Sequence, residues 1–367
     1  AATKAGRIEA AIGYYIAAVE RDEMSSDGLL AQFSVAELYL ELGQLTRAEQ
    51  LYRKVLQTQP GNGLTSERMA FLLSMTGRRW AALNHYFVLI KGGEAGYREL
   101  ALAADVGRPI EQPDFLKKCR EQSPDDELVR LALATYAYNE GAPEAGELLH
   151  QLVASSPHLI SAQSMLGELL VDASSITAFI EWHEALPPAA NDSPDIWFVR
   201  GLWARNQSDL EAARGCFWQS VVRTPFHRRA FHVLGQVLLA LRDPQADSVL
   251  EYAQLLIGLS QSIDQVLISK GNSEKANRET TELLEKLGRT WEACAWAVVG
   301  RDRFTAANWP SEILNRHSRK LNSSLPRIEP AKSPVTERKR SRVSQFDQLI
   351  AKVSAVANPS KATVQSH

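Results

Sequence analysis

The chain is poor in the features that usually announce chemistry. It has three cysteines in 367 residues, and Cys119, Cys216 and Cys294 are odd in number, far apart and set at apolar positions. That excludes a disulfide framework, makes each a small core residue and leaves the compartment open. No apolar run approaches the eighteen or so residues that a membrane span needs. No alternating run of β-branched residues occurs, so strands have almost no place to form. Neither a G-x-x-x-x-G-K-[ST] phosphate loop nor a G-x-G-x-x-G, H-E-x-x-H or G-x-S-x-G motif is present. The eight histidines are scattered. His227 and His232 are separated by a stretch containing Arg228 and Arg229, which is no zinc spacing. Trp182, His183 and Glu184 are neighbours in sequence and therefore point apart on a helix. The reading is non-enzymatic, with no catalytic residue, cofactor or metal.

What is present is a repeat. Gly43 and Gly77 lie 34 positions apart, and with them go Ala36 and Ala70, Ala48 and Ala82, Tyr52 and Tyr86, and Val55 and Leu89. Glycine permits a turn between two helices, alanine lets them approach, and the aromatic fills the space beside them. A fixed period of 34 is the length of one tetratricopeptide helix-turn-helix unit. Residues 29–60 resemble that family strongly, with Val35, Ala36, Tyr39, Gly43, Ala48, Tyr52, Val55 and Pro60 in the family's order. A second copy runs from Gly63 to about Ile90. A third runs through Trp197, Gly201, Ala204, Asp209, Ala213, Phe217 and Pro225. The resemblance implies an all-α, right-handed α-solenoid of tetratricopeptide-like helical hairpins, about eight over residues 1–310, each buried only against its neighbours.

Weaker copies complete the array. Gly6, Ala11, Tyr15 and Ala18 mark an opening hairpin that lacks most of its first helix, so an amino-terminal part of a longer protein is expected to be missing. Gly107 and Pro124 mark another, whose second helix starts late because of Pro109 and Pro113. Others carry Gly141 and Pro157, then Leu166 and Gly167 with Phe179 and Trp182. The next begins at Phe231, Leu234 and Gly235 and ends near Ser260, and the last has Gly288, Ala293 and Trp296. Trp80 and Trp291 occupy matching places at the start of second helices, where the indole covers the turn.

Beyond the array, the net charge of −2 hides an asymmetry. Between Arg316 and Val343, nine basic residues face only Glu329 and Glu337. With Pro326, Pro330, Pro334 and several serines, residues 311–343 read as a disordered basic linker. Arg338, Lys339, Arg340 and Arg342 permit nucleic-acid contact by counterion release, but no aromatic interleaves with them for stacking. In residues 344–357, Phe346, Leu349, Ile350 and Val353 share one helical face. That helix is expected to form transiently and dock only with a partner or further domain, the alternative being a cap on the final hairpin around Trp291 and Trp296. Residues 358–367 read as a disordered tail.

The stretch from Trp182 to Trp296 has a narrower resemblance. Residues 186–190, 197–204, 213–218, 234–238 and 287–293 resemble the helical region of large bacterial proteins that carry FG-GAP propeller repeats and an ASPIC/UnbV domain. Those proteins look exported, which implies a periplasmic or extracellular setting over a cytoplasmic one. No propeller motif follows Pro310 here. A structural spacer arm for such a domain is therefore one reading of the chain.

The other is a scaffold that binds an extended or helical protein segment. In tetratricopeptide folds the first helix of each hairpin lines a concave groove through repeat positions 2, 5, 9 and 12. The resemblance places Leu30, Phe33, Glu37 and Leu40 there, then Leu64, Glu67, Phe71 and Ser74, then Asp195, Phe198, Leu202 and Arg205, then Arg229, His232, Gln236 and Leu239. No lysine or asparagine clamp for a carboxyl-terminal peptide occurs among them. Phe198, Leu202, Arg205, Arg229, His232 and Gln236 are the candidate partner-binding residues. Arg205, Arg229 and His232 would form a cationic patch for an acidic segment over an apolar floor of Phe198 and Leu202. Solvated helix surface is the plain alternative.

Overall fold

The computed structural model describes residues 2–21, 25–110, 112–321 and 343–357. Among them every regular element is helical. The helices fall into two compact units, Ala1–Leu152 and Val153–His367.

The first unit holds α1 (Ala2–Arg21), α2 (Ser26–Glu41), α3 (Leu45–Thr58), α4 (Gly63–Met75), α5 (Arg79–Gly92), α6 (Tyr97–Ala104), α7 (Pro113–Gln122), α8 (Glu127–Asn139) and α9, which runs Ala145–Ser155. The pairs α2–α3 and α4–α5 are the two best sequence copies. Each turn is made by a glycine in the left-handed region, Gly43 at φ 70° and Gly77 at φ 68°. That geometry lets the next amide reach back over the helix end, Gln44 N–H to Tyr39 O and Arg78 N–H to Leu73 O, both 2.8 Å. Ala36, Ala48, Ala70 and Ala82 are buried where the paired helices cross. Tyr52 and Tyr86 are buried beside them and use their hydroxyls on the preceding helix, at Glu37 and Ser74.

This unit departs from a linear stack. Helices α6 and α7 have only 8 and 10 residues, α7 opening on Pro113. The hairpin after them returns, and α8 packs on α3 and α4 as well as on α7. Ser123 Oγ donates to Leu42 O at 3.0 Å, and Thr46 donates to the Asp126 carboxylate through its amide at 3.1 Å and its hydroxyl at 3.0 Å. Asp126 also caps α8 by accepting from the amides of Leu128 and Val129. Contact between successive hairpins alone, the expectation for a solenoid, therefore fails here.

The second unit holds α10 (Ile160–Asp172), α11 (Ile176–Glu184), a 3-10 turn (Pro188–Asp192), α12 (Pro194–Asn206), α13 (Leu210–Arg223), α14 (Arg228–Ala240), α15 (Ala246–Ile268), α16 (Glu274–Lys286), α17 (Thr290–Arg303), α18 (Trp309–Leu321) and α19, which runs Val343–Ala357. From α12 to α18 consecutive helices pack on one another. Four turns use non-glycine residues at positive φ, namely Ser174, Ser208, Arg242 and Lys270. Inside the last hairpin Arg289 and Glu292 form a buried ion pair, and the Arg289 guanidinium lies 4.3 Å from the centre of the Phe226 ring.

Three boundaries differ from the sequence reading. Helix α15 runs on to Ile268 instead of stopping near Ser260, because Leu256, Leu259, Ile263 and Val266 keep a buried stripe going. Residues 311–321, expected as linker, are helical in α18, whose Trp309 and Ile313 cluster with Ala297 of α17. Helix α19 packs on α13, α11 and α12 instead of waiting for a partner or capping Trp291 and Trp296. Trp296 is already buried in its own hairpin and has no surface to offer. The basic residues from Arg327 to Arg342 and the tail after 357 lie outside the described residues.

Candidate functional site

Helices α10, α12 and α14 are the first helices of three successive hairpins, and the candidate residues sit on α12 and α14. Phe198 is buried, Leu202 half-buried, and Arg205, Arg229, His232 and Gln236 are exposed. Leu239, at the end of the same row, is 58% exposed.

The electrostatics differ from the expected cationic patch. Arg229 Nη2 pairs with Glu168 Oε2 of α10 at 2.6 Å, so its charge is met within the chain. Its guanidinium carbon also stands 4.7 Å from the centre of the Phe198 ring, a cation–π arrangement. Phe198 is thereby the floor under an ion pair and is not itself open to a partner. His232 shares a 3.0 Å hydrogen bond with Gln236 one turn on. Arg205 is exposed on α12 and has no ion-pair partner among the described residues. Beneath this layer the His227 ring caps α14, Nδ1 accepting from the Ala230 amide at 3.3 Å, and its Nε2 lies 3.3 Å from Asp195 Oδ1. Asp195, placed at groove position 2, is buried in that contact.

Glu168 escaped the sequence reading. It sits one residue after Gly167 and so holds the repeat position of Glu37, Leu202 and Gln236. Extending the count into the weak copy at Leu166 and Gly167 would have found it.

In the first unit the same positions are partly used up by the fold. Glu37 accepts from Arg68 Nε of α4 at 2.9 Å and from the Tyr52 hydroxyl. Phe71 meets Phe115 of α7 edge-on, with ring centres 6.0 Å apart. Ser74 is tied to Tyr86 at 3.0 Å. Leu30 and Leu64 remain exposed, while Phe33 and Leu40 are half-buried.

Elsewhere a cleft of about 410 Å³ is lined by Arg278, Glu282, Glu285, Lys286, Trp309, Glu312, Ile313 and Arg316. Of its charges, Arg278 pairs with Glu282 at 2.8 Å and Arg316 with Glu285 at 2.9 Å, Glu285 also lying 2.6 Å from His317. Among the described residues no three His, Cys, Asp or Glu side chains gather as metal ligands. No described helix is long and apolar enough to cross a membrane. All three cysteines are buried, and burial pushes the Cys119 thiol up to about 11. That is the opposite of an activated nucleophile.

Comparison with known proteins bears on the helices themselves. Residues 1–63 match the family described as Tetratricopeptide repeat. Comparison with curated proteins finds no match. Among solved structures the chain is similar to the P58(IPK) TPR domain, at 16% identity over 89% of this chain and 96% of that one, TM-score 0.26. It is similar also to the Cut9–Hcn1 hetero-tetramer of the APC/C, at 15% identity over 80% of this chain and 56% of that one, TM-score 0.27. Yeast Tom70 is similar at 13% identity over 96% and 82%, TM-score 0.29. Likeness at these TM-scores carries no argument, so the architecture rests on the helix pairs described above. What the chain shows is a tetratricopeptide repeat match over residues 1–63, continued by helical hairpins built on the same plan.

Proposed function

We propose that this protein is a non-enzymatic interaction scaffold, and that the face of α10, α12 and α14 receives an extended or helical segment of a protein partner. The observation that supports this most is the row of exposed side chains on α12 and α14, Arg205, Arg229, His232, Gln236 and Leu239, lying beside Glu168 of α10. The row mixes a free cation, a paired ion, two amide or imidazole groups and an apolar end. Such a surface suits a segment with a carboxylate for Arg205 and an apolar side chain for Leu239, and less a uniformly acidic one. Charge-assisted hydrogen bonds to Arg205 would orient that segment.

The alternative, a spacer arm for a propeller or ASPIC/UnbV-type domain in an exported protein, needs no ligand on this face. Panning a displayed peptide library against the full chain separates the two. The scaffold reading expects enriched segments whose binding drops on Arg205→Ala by roughly 1.5–3 kcal/mol and on Leu239→Asp, with helix content unchanged. Enriched segments indifferent to both changes, or no enrichment at all, would leave the spacer.

A further inference from the structure

Away from that row, the second unit holds an aromatic socket. On α11, Phe179 stacks on Trp203 of α12, ring centres 4.7 Å apart and planes within 4°. Trp182 lies 5.1 Å from Phe179, and its indole fits because position 167 of α10 is glycine: a Cβ there would sit 2.4 Å from the ring. Arg200 of α12 is buried, its guanidinium 4.5 Å from the Trp197 ring and 2.8 Å from Asn191 Oδ1. Into this frame α19 inserts Phe346, which is 1% exposed, edge-on to His183 at 5.3 Å and to Trp203 at 6.0 Å. Arg200 and Trp203 lie roughly 140–200° around α12 from Phe198, so the socket and the groove use different sides of one helix.

The fit of α19 is incomplete. Among its described side chains, residues 345–353, Phe346 and Leu349 are buried, Gln345, Ile350 and Val353 half-buried and the rest exposed. Around it Trp182 Nε1, His183 Nδ1, Arg200 Nε and Gln345 Oε1 are buried without a hydrogen-bond partner. Each such group weakens the complex that buries it. Alone, a helix of this length is marginal in water, so α19 depends on the socket for its order. A covalent tether holds a helix near its site at an effective concentration on the order of millimolar, so modest contacts suffice for the resident while a better-matched helix can still replace it.

We propose that this socket is a docking site for an amphipathic helix of a partner protein, with α19 as its resident and displaceable occupant. The partner helix carries an aromatic residue in the place of Phe346, against the rings of His183 and Trp203. Aliphatic residues follow three and seven positions after the aromatic, like Leu349 and Val353. The buried donors on Trp182 and Arg200 favour a partner that adds acceptors where α19 has none.

A fluorescent peptide of residues 343–357, titrated into the full chain, tests the proposal. A full chain carrying Phe346→Ser and Leu349→Ser, which vacates the socket without touching its walls, is expected to bind the peptide at least tenfold tighter than the unaltered chain, where tethered α19 competes. A Phe346→Ala peptide should not bind, and a Leu349→Ala peptide, which loses the other buried side chain, should bind at least tenfold more weakly. Equal binding to both chains, or none to the vacated chain while its helix content is intact, would overturn the proposal. So would a dimer seen by sedimentation in the unaltered chain and lost in the vacated one, since α19 would then be exchanged between two copies.

Discussion

Arg229 reaches across from α14 to Glu168 on α10, 2.6 Å between Nη2 and Oε2, over the buried ring of Phe198. The pair joins hairpins that are not consecutive and decides the charge of the row they border. Arg229 is half exposed, so the pair is expected to contribute under about 1 kcal/mol. Arg229→Ala should shift the urea midpoint correspondingly little. Glu168→Ala is the more telling change: it removes a carboxylate from the row that holds Arg205 and leaves that row more positive. Affinity for an acidic peptide should then rise and should fall again steeply with added salt. A peptide whose affinity ignores Glu168→Ala does not use this row.

Arg289 and Glu292 offer the contrasting case. Both are buried, at 1% and 3% side-chain exposure. Removing one partner strands the other charge, so Glu292→Ala is expected to cost roughly 3–5 kcal/mol. Replacing both by Met and Leu should cost far less, because desolvation of the pair already offsets most of its attraction. Chemical denaturation of the two variants beside the unaltered chain measures the difference. A double replacement as damaging as the single one would mean that the pair specifies the packing against Phe226.

Gly43 and Gly141 both have positive φ, 70° and 64°, but differ in what surrounds them. A Cβ at Gly43 would lie 2.9 Å from the Cys119 backbone, whereas at Gly141 nothing lies within 4 Å. Gly141→Ala is expected to cost only the left-handed backbone, about 1–2 kcal/mol. Gly43→Ala should cost more, because α7 must also move off the α2–α3 turn. Equal costs in thermal denaturation would argue against the return of α7 and α8 onto α3.

These positions also mark what the sequence could tell. Hairpins closed by Gly43, Gly77, Gly141 and Gly288 were legible because a left-handed turn selects glycine. The turns at Ser174, Ser208, Arg242 and Lys270 reach the same backbone region without that signal. Groove positions could be counted from the good copies of the repeat, but Glu168 sat in a weak copy where the count was not carried, so the partner of Arg229 went unseen. The stripe of Phe346, Leu349 and Val353 announced a helix that had to dock, while its destination depended on a socket assembled from α11, α12 and α13. No local pattern encodes such a juxtaposition. Trp182-His183-Glu184 does not converge on itself, and its His183 serves as a wall for a ring from a segment more than 150 positions on.

His183 gives that socket a pH dependence that can be worked out in sign. Burial, and then the positive charge of Arg200, push its imidazole down to about 4. The groups facing it are Arg200 of α12, itself pushed down by burial to about 10, and Phe346 of α19, with Asp347 of α19 and Cys216 of α13 further round Arg200. Cys216 stays a thiol, since burial raises it. With α19 released, His183 returns toward the ordinary histidine value of about 6.5. The docked form therefore holds the imidazole neutral while the released form takes up the proton. Docking is fully favoured above about pH 6.5 and weakens as pH falls toward 4, by at most about tenfold per pH unit. Part of the burial comes from Phe179 on the same helix and persists after release, so the measured slope should be smaller than that limit. Peptide 343–357 binding to the vacated chain, compared between pH 7.5 and pH 5, should weaken severalfold, and His183→Gln should flatten the response. A loss of affinity that survives His183→Gln would remove His183 as the source of the pH dependence.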